Sequence, residues 1–435
     1  MMASNVICLL PHLDRVELVN GGELVASVSV PQAREAFSSY MRGRLAEDVP
    51  LYVQRIDAHC AVSQHLAAVR ALDACYNASP PKGAIAIRRA LAYAGVYYHH
   101  LEQLFFSRSS GDGGIAGLVR TDDELAAHDV LQALRRARDV VEILGGRGLT
   151  PERGIPGGVT VGIADEQLSR ARDIASDLLG VALRSEEGFR AGGARWVEEQ
   201  ELSVPAYSLA TVNDDGEASL CDGMLRIVDP KGSEVITGDA SQVLSMMMEW
   251  KEDAPLRVGP LARLNAASGA STEQARELQK HLFDALGTSP IHRVAAGNWA
   301  MVIELVEAAE LLSSALAGLA AGDSELHAPL DEAGEGVAAI EGARGTLIHR
   351  YLLDAEGIVQ EAQIVSPDSL MEADVNAALS SLIAESGPEV TDDTIERIVN
   401  TIGSYQPAYV PSAPFSLRIV RRDADGRVSQ EWRRP

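Results

Sequence analysis

Apolar residues recur at every third or fourth position through most of this chain, a spacing that predicts amphipathic or buried helices. Helices are expected over about 31–45, from the polar segment 57–60 through 72, and over 81–107, 122–144, 165–183, 239–250, 271–286, 293–320, 369–384 and 392–403. Three stretches change to period-two alternation broken by Gly- and Asp-rich turns, the pattern of β-hairpins. These are 15–30 around Asn20-Gly21-Gly22, a β-rich insertion at about 205–238, and 346–365. A further hairpin closes the chain at 415–435. Residues 145–160 hold too many Gly and Pro for regular structure, and 324–338 read as an acidic linker. The predicted architecture is α+β and predominantly α: a long-helix bundle with β-hairpins at its periphery, in one domain spanning 1–435.

Composition narrows the class. With 435 residues, 46% of them hydrophobic, the chain can bury one large or two medium cores. Its net charge of −24 argues against nonspecific nucleic-acid binding and against docking on anionic membranes. The four cysteines, Cys8, Cys60, Cys75 and Cys221, have no paired spacing, which favours a reducing compartment over a disulfide framework. No signal segment is evident. The most apolar stretch, 293–320, carries Glu304, Glu307 and Glu310, so it is expected as a buried amphipathic helix rather than a membrane span. A cytoplasmic protein without a transmembrane segment is expected.

Candidate chemistry concentrates at 55–72, where Asp57, His59 and Cys60 run directly into an Ala-rich helix. A carboxylate, an imidazole and a thiol can contribute to a zinc or iron site, although adjacent residues rarely complete one ion alone. The alternative is a polar helix entrance in which Asp57 caps backbone N–H groups. Tyr97, Tyr98, His99 and His100 are expected on different faces of one helix, as core and rim residues, and Met246, Met247 and Met248 as plastic core. Gly111-Asp112-Gly113-Gly114 lacks the strand and helix context of a phosphate loop.

The same stretch resembles the first metal motif of nickel–iron hydrogenase large subunits, Arg-x-Cys-Gly-x-Cys-x-x-x-His. Arg55 and Cys60 match, Asp57 stands at the first cysteine, Ala58 at the glycine and Gln64 at the histidine, with His65 one residue late. Further blocks resemble the family in the same order. They are Gly145-Gly146-Arg147 with Pro156-Gly157-Gly158 (Thr150 replacing a histidine), the run from Val258 to Asn265, and the run from Glu341 to His349. The resemblance places Arg344 where the family's arginine overhangs the metal centre. It aligns the last motif, Asp-Pro-Cys-x-x-Cys-x-x-His, with Gln406, Pro407, Ala408, Pro411 and Pro414. Of the four thiolates the family uses for nickel, Cys60 alone is kept; Asp57, Ala408 and Pro411 occupy the lost positions.

The resemblance therefore implies a hydrogenase large-subunit-like fold without a nickel–iron cofactor, and a terminal hairpin that is retained rather than removed. It implies docking to an iron–sulfur small subunit, with the clusters in that partner and none in this chain. Further flavin- or nicotinamide-linked redox subunits would complete the complex. A second expectation, by analogy with the respiratory complex I subunit similar to this family, is a repurposed pocket. Asp57, His59, Cys60, Arg344 and Tyr405 would then bind a small redox substrate, a quinone or another metal. An Arg344–Asp57 ion pair filling the old site is the plainest expectation for those two residues.

Overall fold

A computed structural model describes residues 16–20, 24–27, 39–55, 60–106, 127–251, 254–287, 290–322, 325–386, 391–405, 417–422 and 428–434. The chain begins with strands β1 (Val16–Asn20) and β2 (Leu24–Ser27) and continues through the short helix α1 (Val49–Val53). Helices α2 (Ala61–Cys75), α3 (Lys82–Phe106) and α4 (Ala127–Gly145) follow. A two-stranded ribbon, β3 (Gly154–Ile155) with β4 (Gly158–Val159), separates them from α5 (Asp165–Glu199). Next come β5 (Tyr207–Val212), β6 (Met224–Val228), β7 (Glu234–Gly238), α6 (Ala240–Met248) and β8 (Leu256–Arg257). Then come α7 (Pro260–Ala266), α8 (Glu273–Leu286) and α9 (Ala296–Gly318). The last part holds β9 (Glu335–Gly342), β10 (Gly345–Leu353), β11 (Val359–Val365), α10 (Pro367–Ser386), α11 (Asp392–Ser404), β12 (Leu417–Arg422) and β13 (Val428–Arg434).

Helix α9 is the axis of the molecule. It packs against α3, α5, α7 and α8. Every residue from Ala296 to Ala309 is buried, so its first four turns have no solvent face. The expectation of an amphipathic helix is therefore corrected: over these turns it is buried all round, as a central helix must be. Glu304 and Glu307 are inside with the apolar residues, which obliges them to find partners.

Three expected boundaries also move. Residues 39–41 are helical, but the chain turns at Gly43 (φ +79°), so the expected first helix does not reach 45; its start lies outside the described residues. Helix α5 runs to Glu199 rather than ending near 183, because its buried face continues through Ser185, Phe189 and Val197 despite the glycines between them. The expected linker at 324–338 holds the start of β9.

The sheets are not all peripheral. Strands β11-β10-β9 form an antiparallel sheet whose β9 and β10 lie on α2, burying Leu347, Ile348, His349 and Tyr351. Gly336 of β9 makes this approach possible: a Cβ there would lie 2.3 Å from both the Ala71 carbonyl oxygen and the Cys75 nitrogen of α2. The insertion at 205–238 and β8 together form the sheet β7-β6-β5-β8, with β8 parallel to β5. The terminal hairpins join in one sheet, β13-β12-β1-β2, through parallel pairing of β1 with β12. Among the described residues, no helix is long and apolar enough to cross a membrane.

Candidate functional site

Cys60 is the residue that enters α2, buried and in a non-helical conformation, with no side-chain cap bond to the helix. Asp57 and His59 lie outside the described residues, as do Ala408 and Pro411, so the expected Arg344–Asp57 pair and capping by Asp57 lie outside them too. What the structure does bring together is Arg344 and Tyr405. Both line a cavity of ≈ 20 Å³ whose wall includes Arg257, Val258, Pro260 and Ser404. That volume accommodates about one water molecule.

The glycines in the matching blocks explain how Arg344 is placed. The Arg344–Gly345 turn lies backbone against backbone on Val258–Gly259. A Cβ on Gly259 (φ +92°) would lie 2.7 Å from the Arg344 carbonyl oxygen, and one on Gly345 (φ +143°) would lie 2.5 Å from a Val258 methyl. Both conformations fall where side chains are disfavoured. Tyr405 is held by structure rather than poised for chemistry. Its hydroxyl donates to the Asp374 backbone carbonyl at 3.3 Å, the Arg257 guanidinium lies 5.7 Å from its ring centroid, and burial pushes its pKa well up. Arg257 itself makes a buried bidentate pair with Asp374 at 2.7 and 3.0 Å.

Gln64, at the position of the family's histidine, meets His349 from the last of the matching blocks. His349 Nε2 lies 2.9 Å from Gln64 Oε1, and Nδ1 lies 2.8 Å from the Tyr351 hydroxyl. An amide oxygen only accepts, so Nε2 carries the proton and Tyr351 donates to Nδ1. Burial lowers the His349 pKa to about 3, which keeps that neutral tautomer. Gln64→Leu strands a buried N–H and is expected to cost about 1–3 kcal/mol. A urea-denaturation midpoint unchanged from wild type would refute this role. His65 takes no part: it is buried, its Nδ1 lies 3.3 Å from the Pro50 carbonyl, and burial lowers its pKa to about 4.

A buried ion network centred on Arg263 is a feature the sequence pattern does not predict. Arg263, fully buried on α7, bonds Glu304 of α9 through Nε and Nη2 at 2.5 Å and Glu341 of β9 through Nη1 at 2.5 Å. His100 Nε2 reaches Glu304 at 2.7 Å, while Thr346 and Thr211 hydroxyls donate to Glu341 at 2.8 and 3.1 Å. Burial opposes the charge on Glu304, but Arg263 and His100 outweigh it and hold that carboxyl below its usual range. The sequence signal for this network is Glu304, the first of three glutamates on a mostly apolar helix. His99 is buried as well, and Tyr98, half-buried, is the rim residue among the four. Of the three consecutive methionines, Met246 and Met247 pack against a core and Met248 is 71% exposed.

Among the described residues, thiols do not gather. Cys60 and Cys75 sit at opposite ends of α2, roughly 22 Å apart at 1.5 Å per residue. Cys221 lies beside Arg70, whose guanidinium bonds its carbonyl. Burial pushes the Cys75 and Cys221 thiols up to about 12, so neither is a thiolate at neutral pH. Among the described residues no group of three or more His, Cys, Asp or Glu side chains could hold a metal ion. At the surface beside the α2 entrance, Arg55 faces Arg147 and Thr150 of the Gly-Gly-Arg segment across a cavity of ≈ 160 Å³.

No protein-family model matches the chain. It is 28% identical over 440 residues to an iron-sulfur subunit of the F420-non-reducing hydrogenase of Archaeoglobus profundus, covering 90% of each. It is 25% identical over 447 residues to the beta subunit of the NAD-reducing hydrogenase HoxS of Cupriavidus necator, covering 91% of each. Its structure superposes on a chain of an NAD+-reducing [NiFe]-hydrogenase in the H2-reduced state with a TM-score of 0.77 at 24% identity, covering 92% of this chain and 98% of that one. A Ni-Fe-Se hydrogenase from D. vulgaris Hildenborough gives a TM-score of 0.63 at 19% identity, covering 90% and 95%. The chain has the α+β, predominantly helical fold of hydrogenase large subunits, and it is similar in sequence to hydrogenase subunits along nine-tenths of its length.

Proposed function

We propose that this chain is a divergent hydrogenase-type large subunit without a nickel–iron centre, acting as a scaffold that docks an iron–sulfur subunit in a cytoplasmic electron-transfer complex. One observation carries the reading. Two of the blocks that resemble the family's, 258–265 and 341–349, meet beside Arg344 and Tyr405, while the positions aligned with its thiolates carry Asp57, Ala408 and Pro411. Alanine and proline have no side-chain donor, and nickel in a four-sulfur site needs those soft ligands. Cys60 alone does not fit the group, so no reaction step is assigned to it.

The docking face is assigned to the surface around α1. Tyr40, Leu45 and Leu51 are exposed there, and Arg44 stacks over the rings of Tyr40 and Tyr52 at 4.5 and 5.3 Å. Arg55 and Arg147, both exposed, adjoin Leu51 across a cavity that Glu152 also lines. Apolar and guanidinium groups together are the composition of a protein interface core. Arg42, Arg44, Arg55 and Arg147 slightly outnumber Glu47, Asp48 and Glu152 there, so the face is less acidic than a chain of net charge −24 as a whole. A pocket repurposed for a quinone or similar substrate is less well supported, because the cavity beside Arg344 has a volume of ≈ 20 Å³.

Native purification followed by nickel, iron and acid-labile sulfide analysis tests the proposal. Iron and sulfide in a co-purifying partner, with nickel absent, are expected. Stoichiometric nickel would overturn the loss of the centre. Zinc or iron bound to this chain alone would favour a repurposed site at Asp57, His59 and Cys60.

A further inference from the structure

Away from that region, a cavity of ≈ 270 Å³ opens between α2, the first turns of α3, the Cys221–Asp222 loop and β9. Its apolar floor is made by Leu66, Ile85 and Ile340, and its charged wall by Arg70, Arg88 and Arg89 with Asp73 and Asp222. Arg88 is already satisfied: it pairs with Asp73 at 2.5 Å and donates to the Gly158 and Ile155 carbonyls at 2.7 and 2.6 Å. Arg70 and Arg89 are not. They share one carboxylate, Asp222, at 3.2 and 2.5 Å. Arg70 spends one further bond on the Cys221 carbonyl.

Two guanidiniums on one carboxylate leave a net positive charge at the cavity, in a chain whose overall charge is −24. The remaining N–H groups of Arg70 and Arg89 have no acceptor among the described residues. Both side chains are partly open to solvent, at 29% and 49% exposure, so the donors are reachable. A concave apolar floor with a few convergent donors is the general form of a small-molecule site. A planar guanidinium favours bidentate carboxylate or phosphate partners.

We infer that this cavity binds a small anion, a carboxylate or phosphate monoester with a compact apolar body, between Arg70 and Arg89. The body lies on Leu66, Ile85 and Ile340. The anion takes the donor edges that Asp222 leaves open. Asp222 orients the two guanidiniums and also repels the ligand, which sets a signature that a purely structural ion pair lacks: removing its charge improves binding.

Isothermal titration of the full chain in low-salt, phosphate-free buffer tests this with four probes: phenyl phosphate, benzoate, inorganic phosphate and benzyl alcohol. Phenyl phosphate or benzoate is expected to bind, and which of them binds more tightly assigns the anion class. Inorganic phosphate is expected to bind at least tenfold more weakly than phenyl phosphate, and benzyl alcohol not at all. Arg89→Gln, at a half-exposed position, is expected to weaken the favoured probe at least tenfold, and Asp222→Asn to tighten it severalfold. Failure of both aromatic anions to bind would overturn the inference. So would affinity that Arg89→Gln leaves unchanged, or affinity that Asp222→Asn abolishes.

Discussion

Arg263→Ala is expected to destabilise the protein by about 3–5 kcal/mol, the usual cost of removing one partner from a buried ion pair. The substitution takes away the cation that bonds Glu304 and Glu341, both fully buried, and leaves two carboxylates with His100 and the hydroxyls of Thr211 and Thr346. Without Arg263, burial raises both carboxyl pKa values above those of the unfolded chain. The folded variant then holds protons that the unfolded chain has released. Its deficit therefore grows as pH rises above the ordinary carboxyl range and shrinks in acid. Urea denaturation at several pH values checks this. Arg263→Met combined with Glu304→Gln and Glu341→Gln should recover much of the loss, because it removes the stranded charges with the cation. A single variant as stable as wild type at neutral pH would show that the network contributes nothing.

That network also marks the limit of local sequence pattern. The periodicity predicts α3 over 81–107, and the helix spans Lys82–Phe106; it predicts α11 over 392–403, and the helix spans Asp392–Ser404. Local pattern suffices for such elements because their periodicity and first-turn chemistry agree. In α11, Thr391 and Thr394 form a reciprocal cap and acidic residues follow at Asp392 and Asp393. The start of strand β9 reads as linker because Glu335-Gly336-Val337-Ala338 has weak strand propensity. Its place is set by Gly336 against the backbone of α2, a tertiary contact with no local trace. The matching blocks point to Arg344 and Tyr405, which do share a cavity. The partners that hold the blocks together lie far away in sequence: Gln64 with His349, Arg257 with Asp374, Arg263 with Glu304. Each pair crosses between elements whose register only the folded chain defines. Asp57 and His59, which the sequence motif puts at the centre of the site, lie outside the described residues.

Glu307→Gln is expected to stabilise the protein in mild alkali, by about 3 kcal/mol, and to change little in acid. Glu307 is buried one helical turn from Glu304, and burial raises its pKa from 4.5 to about 7. The Ser271 amide and hydroxyl donate to it at 2.6 and 2.7 Å, and Arg263 also favours its charge, while Glu304 disfavours it. Burial outweighs the favourable contacts. Both Ser271 donors reach Oε1, so Oε2 can carry a proton without losing either bond. Below pH 4.5 the folded and unfolded forms are both protonated and Glu307 contributes no pH dependence. Between 4.5 and 7 the folded form keeps a proton that the unfolded form has lost, so stability falls as pH rises. Above 7 both are ionised and the penalty stays constant. Glutamine retains an acceptor for Ser271 and cannot ionise. The variant's stability should therefore run nearly parallel to wild type below pH 4.5 and exceed it by a margin that grows up to about pH 7. Urea midpoints at about pH 4, 6 and 8 read that margin directly. Equal margins at all three values would place the ionisable group elsewhere, and a less stable variant at the most alkaline value would mean that the carboxylate is favourable where it is buried.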